Sequence, residues 1–412
     1  MQALLLGTFA LVVGVSFWLK LLNWKHLRRE GQRVPPELEG SVDAALLAKM
    51  SAYTEDRSRL GLWTSLVSNV LVVVFLFTLL EPYDRLVSSL SSSPVLHGIL
   101  FFLGISWAES LIMIPFGLYS SFRIEAKHGF NRMSAGLWWA DWAKGLLVSA
   151  LLMALAGGGA FWLIERAPGT WWLWVWLLFI ALSVLLMYLS PILIEPLFFK
   201  LQPLESDGLE QDVRALAERA GVNVSRVFTV DASRRSGHSN AYFTGIGRTK
   251  RVVLFDTLLN QLTPGQILGV LAHELGHWRR HHVLQRLLLM AGLGLLLAFA
   301  AFRLSGWQGL PGLVGASAAS LPARLLILGF IGSLLSFVLT PISAWWSRRH
   351  EWEADRFASE LSGSPTELAD ALVKLSRENL ANLHPHPWYA AFYYSHPQVT
   401  ERVRTLRALK SH

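Results

Sequence analysis

The sequence predicts a predominantly α-helical, polytopic membrane protein with seven transmembrane helices and a small α+β domain on the cytoplasmic side. Three observations predict it: seven apolar stretches of spanning length, a strict alternation of basic and charge-poor connections, and two long polar segments on the same side of that alternation. The stretches run over 3–22, 61–80, 96–119, 145–164, 171–195, 284–304 and 322–346. Each holds the about 20 residues of helix needed to cross a hydrocarbon core of roughly 30 Å. Buried helices of a large soluble core rarely run that far without a charge. The first stretch lacks a positive leading region, since the chain opens MQALLLG and its charges follow the apolar run, so it reads as a span and not as a cleaved leader.

Charge placement orients the spans. The connection 23–60 holds Lys25, Arg28, Arg29, Arg33, Lys49, Arg57 and Arg59, whereas 81–95 holds only Arg85. The connection 120–144 holds Arg123, Lys127, Arg132 and Lys144, against Arg166 alone in 165–170 and no charge in 305–321. The positive-inside rule places the N-terminus outside and the C-terminus in the cytoplasm. Both polar segments, 196–283 and 347–412, then lie on the cytoplasmic side. The chain divides into a membrane domain, 1–200, with five spans, and a second domain, 201–412, with two more (284–304 and 322–346).

Composition narrows the classes. Among 412 residues, 52% are hydrophobic and none is cysteine, which excludes a disordered chain and a disulfide-stapled secreted fold. The 37 Lys+Arg against 29 Asp+Glu are accounted for by orientation in the bilayer. No basic–aromatic module accompanies them, so no nucleic-acid partner is expected. Glu109, inside the third stretch, either lines a polar cavity or pairs with a neighbouring helix. The tryptophans at 171, 172, 174 and 176 read as an interfacial belt.

The polar segment after residue 200 alternates element types. LEQDVRALAERAG reads as an amphipathic helix ended by Gly221, and SRVFTVD, NAYFTGIG and KRVVLFDTLL read as short strands. Gly245-Ile246-Gly247 is too short for a phosphate loop. TPGQILGVLAHELGHWRRHH then starts a helix, with Thr263 as N-cap, Pro264 at the first position and Gln266 completing a capping box.

That helix carries His273-Glu274-Leu275-Gly276-His277, an H-E-x-x-H pattern. Residues four apart share a helix face, so both imidazoles reach one tetrahedral ion. Glu274 lies beside them, where a carboxylate takes a proton from an activated water. A chain without cysteine must complete the site with histidine or carboxylate. Ser347-Arg348-Arg349-His350-Glu351-Trp352-Glu353-Ala354-Asp355 follows the seventh stretch directly, and there Glu351 and Asp355 are four apart. One of them binds zinc while the other supports a ligating histidine; Glu353 points elsewhere. The hairpin of the sixth and seventh spans returns Glu351 to the membrane face that His277 left. His281 and His282 read as interfacial residues, not ligands.

In an ordered set, these motifs resemble the type I CAAX prenyl endopeptidases, the integral-membrane zinc metalloproteases of the farnesylated-protein-converting enzyme 1 type. The resemblance is carried by LYSSFRIEAKHGFNR, PLFFKLQPL, HSNAYFTGIGRTKRVVLFDTLL, AHELGHW, SRRHEWEADRFA and SHPQVTERV, and spans nearly the whole chain. It implies one Zn2+ per chain on His273, His277 and Glu351, Glu274 as base, and Asp355 as the orienting carboxylate. It further implies that His396 and Arg402 contact substrate or transition state, with either one stabilising the oxyanion, and that Asn240 and Ala241 pair with substrate backbone. Seven helices around a membrane chamber are the implied fold, with a peptide or prenylated peptide cut near its C-terminus. Two departures are visible: P-L-F-N-K reads Pro196-Leu197-Phe198-Phe199-Lys200, and S-H-P-P-L reads Ser395-His396-Pro397-Gln398-Val399.

Two other functions compete with this expectation. One is a quality-control membrane metalloprotease with no prenyl requirement, and the other a non-catalytic transporter or receptor stabilised by zinc. With no retention signal in view, a bacterial cytoplasmic membrane is expected, or the endoplasmic reticulum for a eukaryotic source. Nothing in the sequence sets an oligomeric state.

Overall fold

The computed structural model describes residues 1–205, 207–222, 224, 226–244 and 251–409; the Gly245–Gly247 segment read above lies outside them. Among the described residues, seven helices are long and apolar enough to cross a membrane: α1 Gln2–Glu30, α2 Ala44–Leu90, α3 Pro94–His128, α4 Ala135–Arg166 and α5 Trp171–Phe198, followed after the sheet region by two more. Each covers one of the predicted stretches. Their starts follow local chemistry: Asp43, Ser93 and Ser134 each accept a hydrogen bond from the first turn of α2, α3 and α4. Leucines 147 and 151 of α4 stay about 70% exposed, a surface suited to lipid and not to water.

Beyond α5 the chain builds a four-stranded sheet from β1 Leu201–Pro203, β2 Arg226–Val230, β3 Ala241–Thr244 and β4 Arg251–Phe255. Its order is β1-β2-β4-β3. β2 and β4 run parallel, and β3 pairs antiparallel with β4 in the register Ala241↔Leu254. β3 is therefore an edge strand. β1, only three residues long, is absent from the sequence reading. Helix α6 Asp207–Arg219, with Gly221 at φ +69 just beyond it, packs Val213 and Leu216 into a core shared with Val227, Val252 and Leu254.

Helix α7 Pro264–Arg279 opens with the predicted capping box: Gln266 N donates to Thr263 Oγ1, and Thr263 N to Gln266 Oε1. It buries Ile267, Leu271 and Leu275 against the same core. The sixth and seventh spans are α8 His282–Ser305 and α9 Leu321–Ser362. α9 runs 42 residues, far more than a bilayer requires, so its C-terminal part stands clear of the apolar stretch and packs along α7. Helices α10 Pro365–Glu378, α11 Pro387–Tyr393 and α12 Val399–Ala408 close the chain.

Polar contacts bind this region to the membrane helices. Arg235 forks onto Asp141 of α4 (2.8 and 3.2 Å), and His386 N donates to Asn23 of α1 at 2.9 Å. Three of the four tryptophans read as a belt also contact a neighbouring helix. Trp171 is buried against Phe302, Trp172 packs edge-on to Phe299, and Trp176 Nε1 donates to Ala291 O at 2.8 Å, all on α8; Trp174 remains exposed. Helix packing satisfies the indole N–H as well as an interface does. Glu109 is exposed and makes no ion pair with another described residue, so pairing between helices does not account for it.

Candidate metal centre

The site is made where α7 and α9 touch. At the crossing, a Cβ on Gly276 would stand 3.0 Å from Ala354 Cα and 3.1 Å from its carbonyl oxygen, so the two backbones meet almost directly. That approach brings the i,i+4 face of α7 (His273, His277) against the i,i+4 face of α9 (Glu351, Asp355). His273, Glu351 and Asp355 are buried, and His277 is partly buried.

Three donors converge. His273 Nε2 lies 3.2 Å from His277 Nε2 and 3.3 Å from Glu351 Oε2, and His277 Nε2 lies 3.4 Å from Glu351 Oε1. Tetrahedral zinc with ligand bonds of 2.0–2.1 Å separates its ligands by about 3.3 Å, so the donor set fits such an ion. Glu351 Oε2 makes the same point. His396 Nδ1 approaches it to 2.7 Å, yet this buried oxygen receives no hydrogen bond of acceptable angle. Such an atom is costly unless a cation or donor meets it.

A second layer fixes the imidazoles. His273 Nδ1 lies 2.7 Å from Asp355 Oδ1, which assigns the Nδ1 proton to that bond and leaves Nε2 facing Glu351. Arg402 of α12, itself buried, donates from Nε and Nη2 to both oxygens of Asp355 at 2.8 and 2.6 Å. Burial and the Arg402 charge oppose protonation of His273, but the Asp355 and Glu351 carboxylates beside its two ring nitrogens prevail and raise its pKa to about 9. The cluster favours positive charge.

His277 has its own support, which the sequence reading missed. Its Nδ1 lies 2.9 Å from His282 Nδ1, and His282 Nε2 lies 3.2 Å from Glu353 Oε2. The His282 ring stacks on His350 at 4.0 Å and 3°. His281, at φ +58, breaks the helix between α7 and α8 and turns His282 back toward His277. His282 is thus buried beside the site, and Glu353 points away from the three donors because it faces His282.

A cleft of about 500 Å³ opens beside the cluster, lined among others by Glu274, His277, Glu351, Ser395 and His396. Phe243 and Thr244 of the edge strand also line it, whereas Asn240 and Ala241 lie at that strand's start. Asn240 Oδ1 accepts from Ala241 N at 2.9 Å, and Asn240 O accepts from Phe255 N at 3.1 Å. Arg402, read together with His396 as a contact to the transition state, is not part of the lining. Its Nε and Nη2 donate to Asp355, while Nη2 also lies 3.3 Å from His273 Nδ1 and Nη1 lies 3.8 Å from Glu351 Oε2.

Comparison with known proteins agrees with this architecture. Residues 23–200 match the family model described as CAAX prenyl protease N-terminal, five membrane helices, and residues 203–410 match the peptidase family M48 model. The chain belongs to peptidase family M48. The rice CAAX prenyl protease 1 homolog is 32% identical to this M48 chain over 90% of both proteins, and CAAX prenyl protease 1 of Saccharomyces cerevisiae is 31% identical over 95% of this chain and 92% of that protein. The crystal structure of S. mikatae Ste24p superposes with a TM-score of 0.88 at 27% identity, covering 98% of this chain and 97% of that one. The seven spans and the family together make the chain an integral multi-pass membrane metalloendopeptidase.

Proposed function

We propose that this M48 peptidase is a zinc enzyme that cleaves prenylated, CAAX-type peptides near their C-terminus. The observation that carries the metal chemistry is the 3.2–3.4 Å convergence of His273, His277 and Glu351 around a buried carboxylate oxygen without a hydrogen bond. The relatives named CAAX prenyl proteases support the substrate class. In this reading the three residues hold one Zn2+ per chain, since two neutral imidazoles and a carboxylate suit zinc and leave a position open for substrate.

When bound, the ion supplies Lewis-acid polarisation of the scissile carbonyl and of a water molecule. Glu274, in the cleft wall, takes the proton from the attacking water and later hands it to the leaving amine. His396, with Nδ1 on the cleft side of Glu351, donates to the oxygen that becomes negative in the transition state. Asp355 holds the His273 tautomer and Arg402 holds Asp355. Its burial supports a positioning role for Arg402 in place of direct contact with the oxyanion. Beginning at Asn240 and Ala241, β3 offers the free edge along which an extended peptide adds as a further strand.

The reading keeps a membrane domain over 1–200 and a peptidase domain over 201–412, a boundary supported by where the two family matches meet. The alternation of basic connections supports a cytoplasmic C-terminus and an external N-terminus, in a bacterial inner membrane or the endoplasmic reticulum. The test is cleavage of matched farnesylated and unmodified peptides by purified protein of measured zinc content. Faster cleavage of the farnesylated peptide is expected. Equal rates would make the enzyme a general membrane peptidase.

A further inference from the structure

Helix α8 carries a cation that nothing in the proposed chemistry uses. Arg286 sits four residues after His282, in the second turn of a membrane-spanning helix, and its side chain lines the cleft beside the metal cluster. It is the only Lys or Arg among the described lining residues. No carboxylate of the described residues forms an ion pair with it. Among the described residues its one hydrogen bond runs from Nη2 to Ser347 Oγ at 2.7 Å. Ser347 is buried on α9, four residues before Glu351 and on the same helix face. Arg286 is exposed near the start of its helix, and an ionisable side chain of a span that faces a cavity is a candidate ligand site.

We infer that Arg286, held by Ser347, is the subsite for the C-terminal carboxylate of the peptide being cut. A guanidinium has five N–H donors in a fork that matches a carboxylate, and the Ser347 bond uses one of them. The offset from Ser347 to Glu351 is about 6 Å along the helix, the length of about two extended residues. A peptide whose scissile bond sits at the His/Glu cluster therefore brings a carboxylate two or three residues downstream toward Arg286. The aliphatic residues between would meet Met187, Pro191, Trp278 and Val283, which line the same cleft. In a C-a-a-X terminus three residues, two of them aliphatic, separate the lipidated cysteine from the chain end. The inference rests on the prenyl-protease reading and adds to it that the enzyme measures the distance from the cut to a free chain end.

The chemistry recognised is an anionic oxygen pair, which a phospholipid phosphate also presents, and the experiment separates the two sources. A farnesyl-cysteine peptide ending in three aliphatic residues is supplied as the free acid and as its carboxamide. The wild-type protein is expected to prefer the acid by ten- to a hundredfold in kcat/KM, the worth of a charged hydrogen-bonded contact. Arg286→Gln brings the ratio close to one, and Arg286→Lys retains part of it. A ratio unchanged in Arg286→Gln, or absent in the wild type, overturns the inference. So does loss of co-purified anionic phospholipid in Arg286→Gln with the ratio intact, which assigns the cation to lipid. If the wild type cuts neither peptide, the peptidase reading itself fails. The subsite is then judged by binding of the free tripeptide and its amide to Glu274→Gln protein and to the same protein with Arg286→Gln. At least tenfold tighter binding of the acid, lost with Arg286, supports the subsite, and equal binding overturns it.

Discussion

Arg402 closes both N–H groups of its guanidinium edge onto Asp355, at 2.8 and 2.6 Å, and the same carboxylate lies 2.7 Å from His273 Nδ1. A metal-site histidine on α7 is thus aimed through α9 by a residue on α12. Arg402→Gln leaves the Asp355 charge buried without its partner, and loss of one member of a buried pair costs about 3–5 kcal/mol. The same variant is expected to weaken metal binding by about 10–100-fold, the usual cost of losing outer-shell support. Denaturant melts in detergent and chelator competition measure the two effects. If Arg402 instead touched the oxyanion, kcat would fall with metal affinity untouched, and that result would sink the positioning role.

Glu274 is the residue whose removal should separate binding from chemistry. It lies in the cleft wall and outside the three converging donors. Glu274→Gln is expected to keep one metal ion per chain while activity drops by about 10²–10⁴-fold, the contribution of a positioned general base. Metal analysis beside a peptide-cleavage assay checks both halves. Full activity in a metal-replete variant would assign the base elsewhere.

Much of this site was legible because it depends on spacing along single helices. His273/His277 and Glu351/Asp355 each repeat at four residues, and the uncharged turn between α8 and α9 makes their return to one face a matter of topology. What the spacing did not show depends on a partner. His282 follows a left-handed residue, His281, so its place beside His277 obeys no helical period. Trp171, Trp172 and Trp176 have an amphipathic chemistry that suits a lipid interface and a helix contact equally, and their contacts with α8 show only once that helix is placed. Arg402 looks like any surface cation in an amphipathic C-terminal helix until Asp355 is placed against it. The three-residue strand β1 is too short to show a period at all.

The Glu353–His282–His277 chain makes a prediction of its own. With Glu353 accepting from His282 Nε2, the His282 Nδ1 lone pair is free to accept the His277 Nδ1 proton, which leaves His277 Nε2 to face the metal position. His282→Ala removes that acceptor and is expected to weaken metal affinity by about 10–100-fold. Glu353 is partly exposed, so Glu353→Gln should cost less. A His282→Ala protein that binds metal as the parent does would show the contact to be packing only.

Metal binding should depend on pH through His273. Its pKa is raised to about 9, so in chelator-stripped protein the bound proton stabilises the fold fully below about pH 6.5, and that contribution is lost as pH rises through 9. A metal ion must displace this proton. Apparent affinity is therefore expected to rise about fiftyfold between pH 7 and pH 9 and then level off. Competition titrations with a chelator of known protonation constants measure it, and a flat response over that interval would contradict the prediction.

Gly276, inside the H-E-x-x-H turn, sets how closely α7 approaches α9. A Cβ there would meet Ala354 Cα at 3.0 Å, its carbonyl oxygen at 3.1 Å and its Cβ at 3.3 Å. Two of those three atoms are backbone, so the neighbour yields only if a helix moves. Gly276→Val pushes the helices apart at an overpacking cost of about 1–3 kcal/mol, and it widens the 3.2–3.4 Å spacing of His273, His277 and Glu351 that the ion requires. The expected outcome is a protein that still inserts and folds but retains little metal after dialysis. Ala354→Gly should not rescue it, because removing that methyl leaves both backbone contacts in place. Recovery of metal in the double variant would locate the constraint in the Ala354 side chain instead.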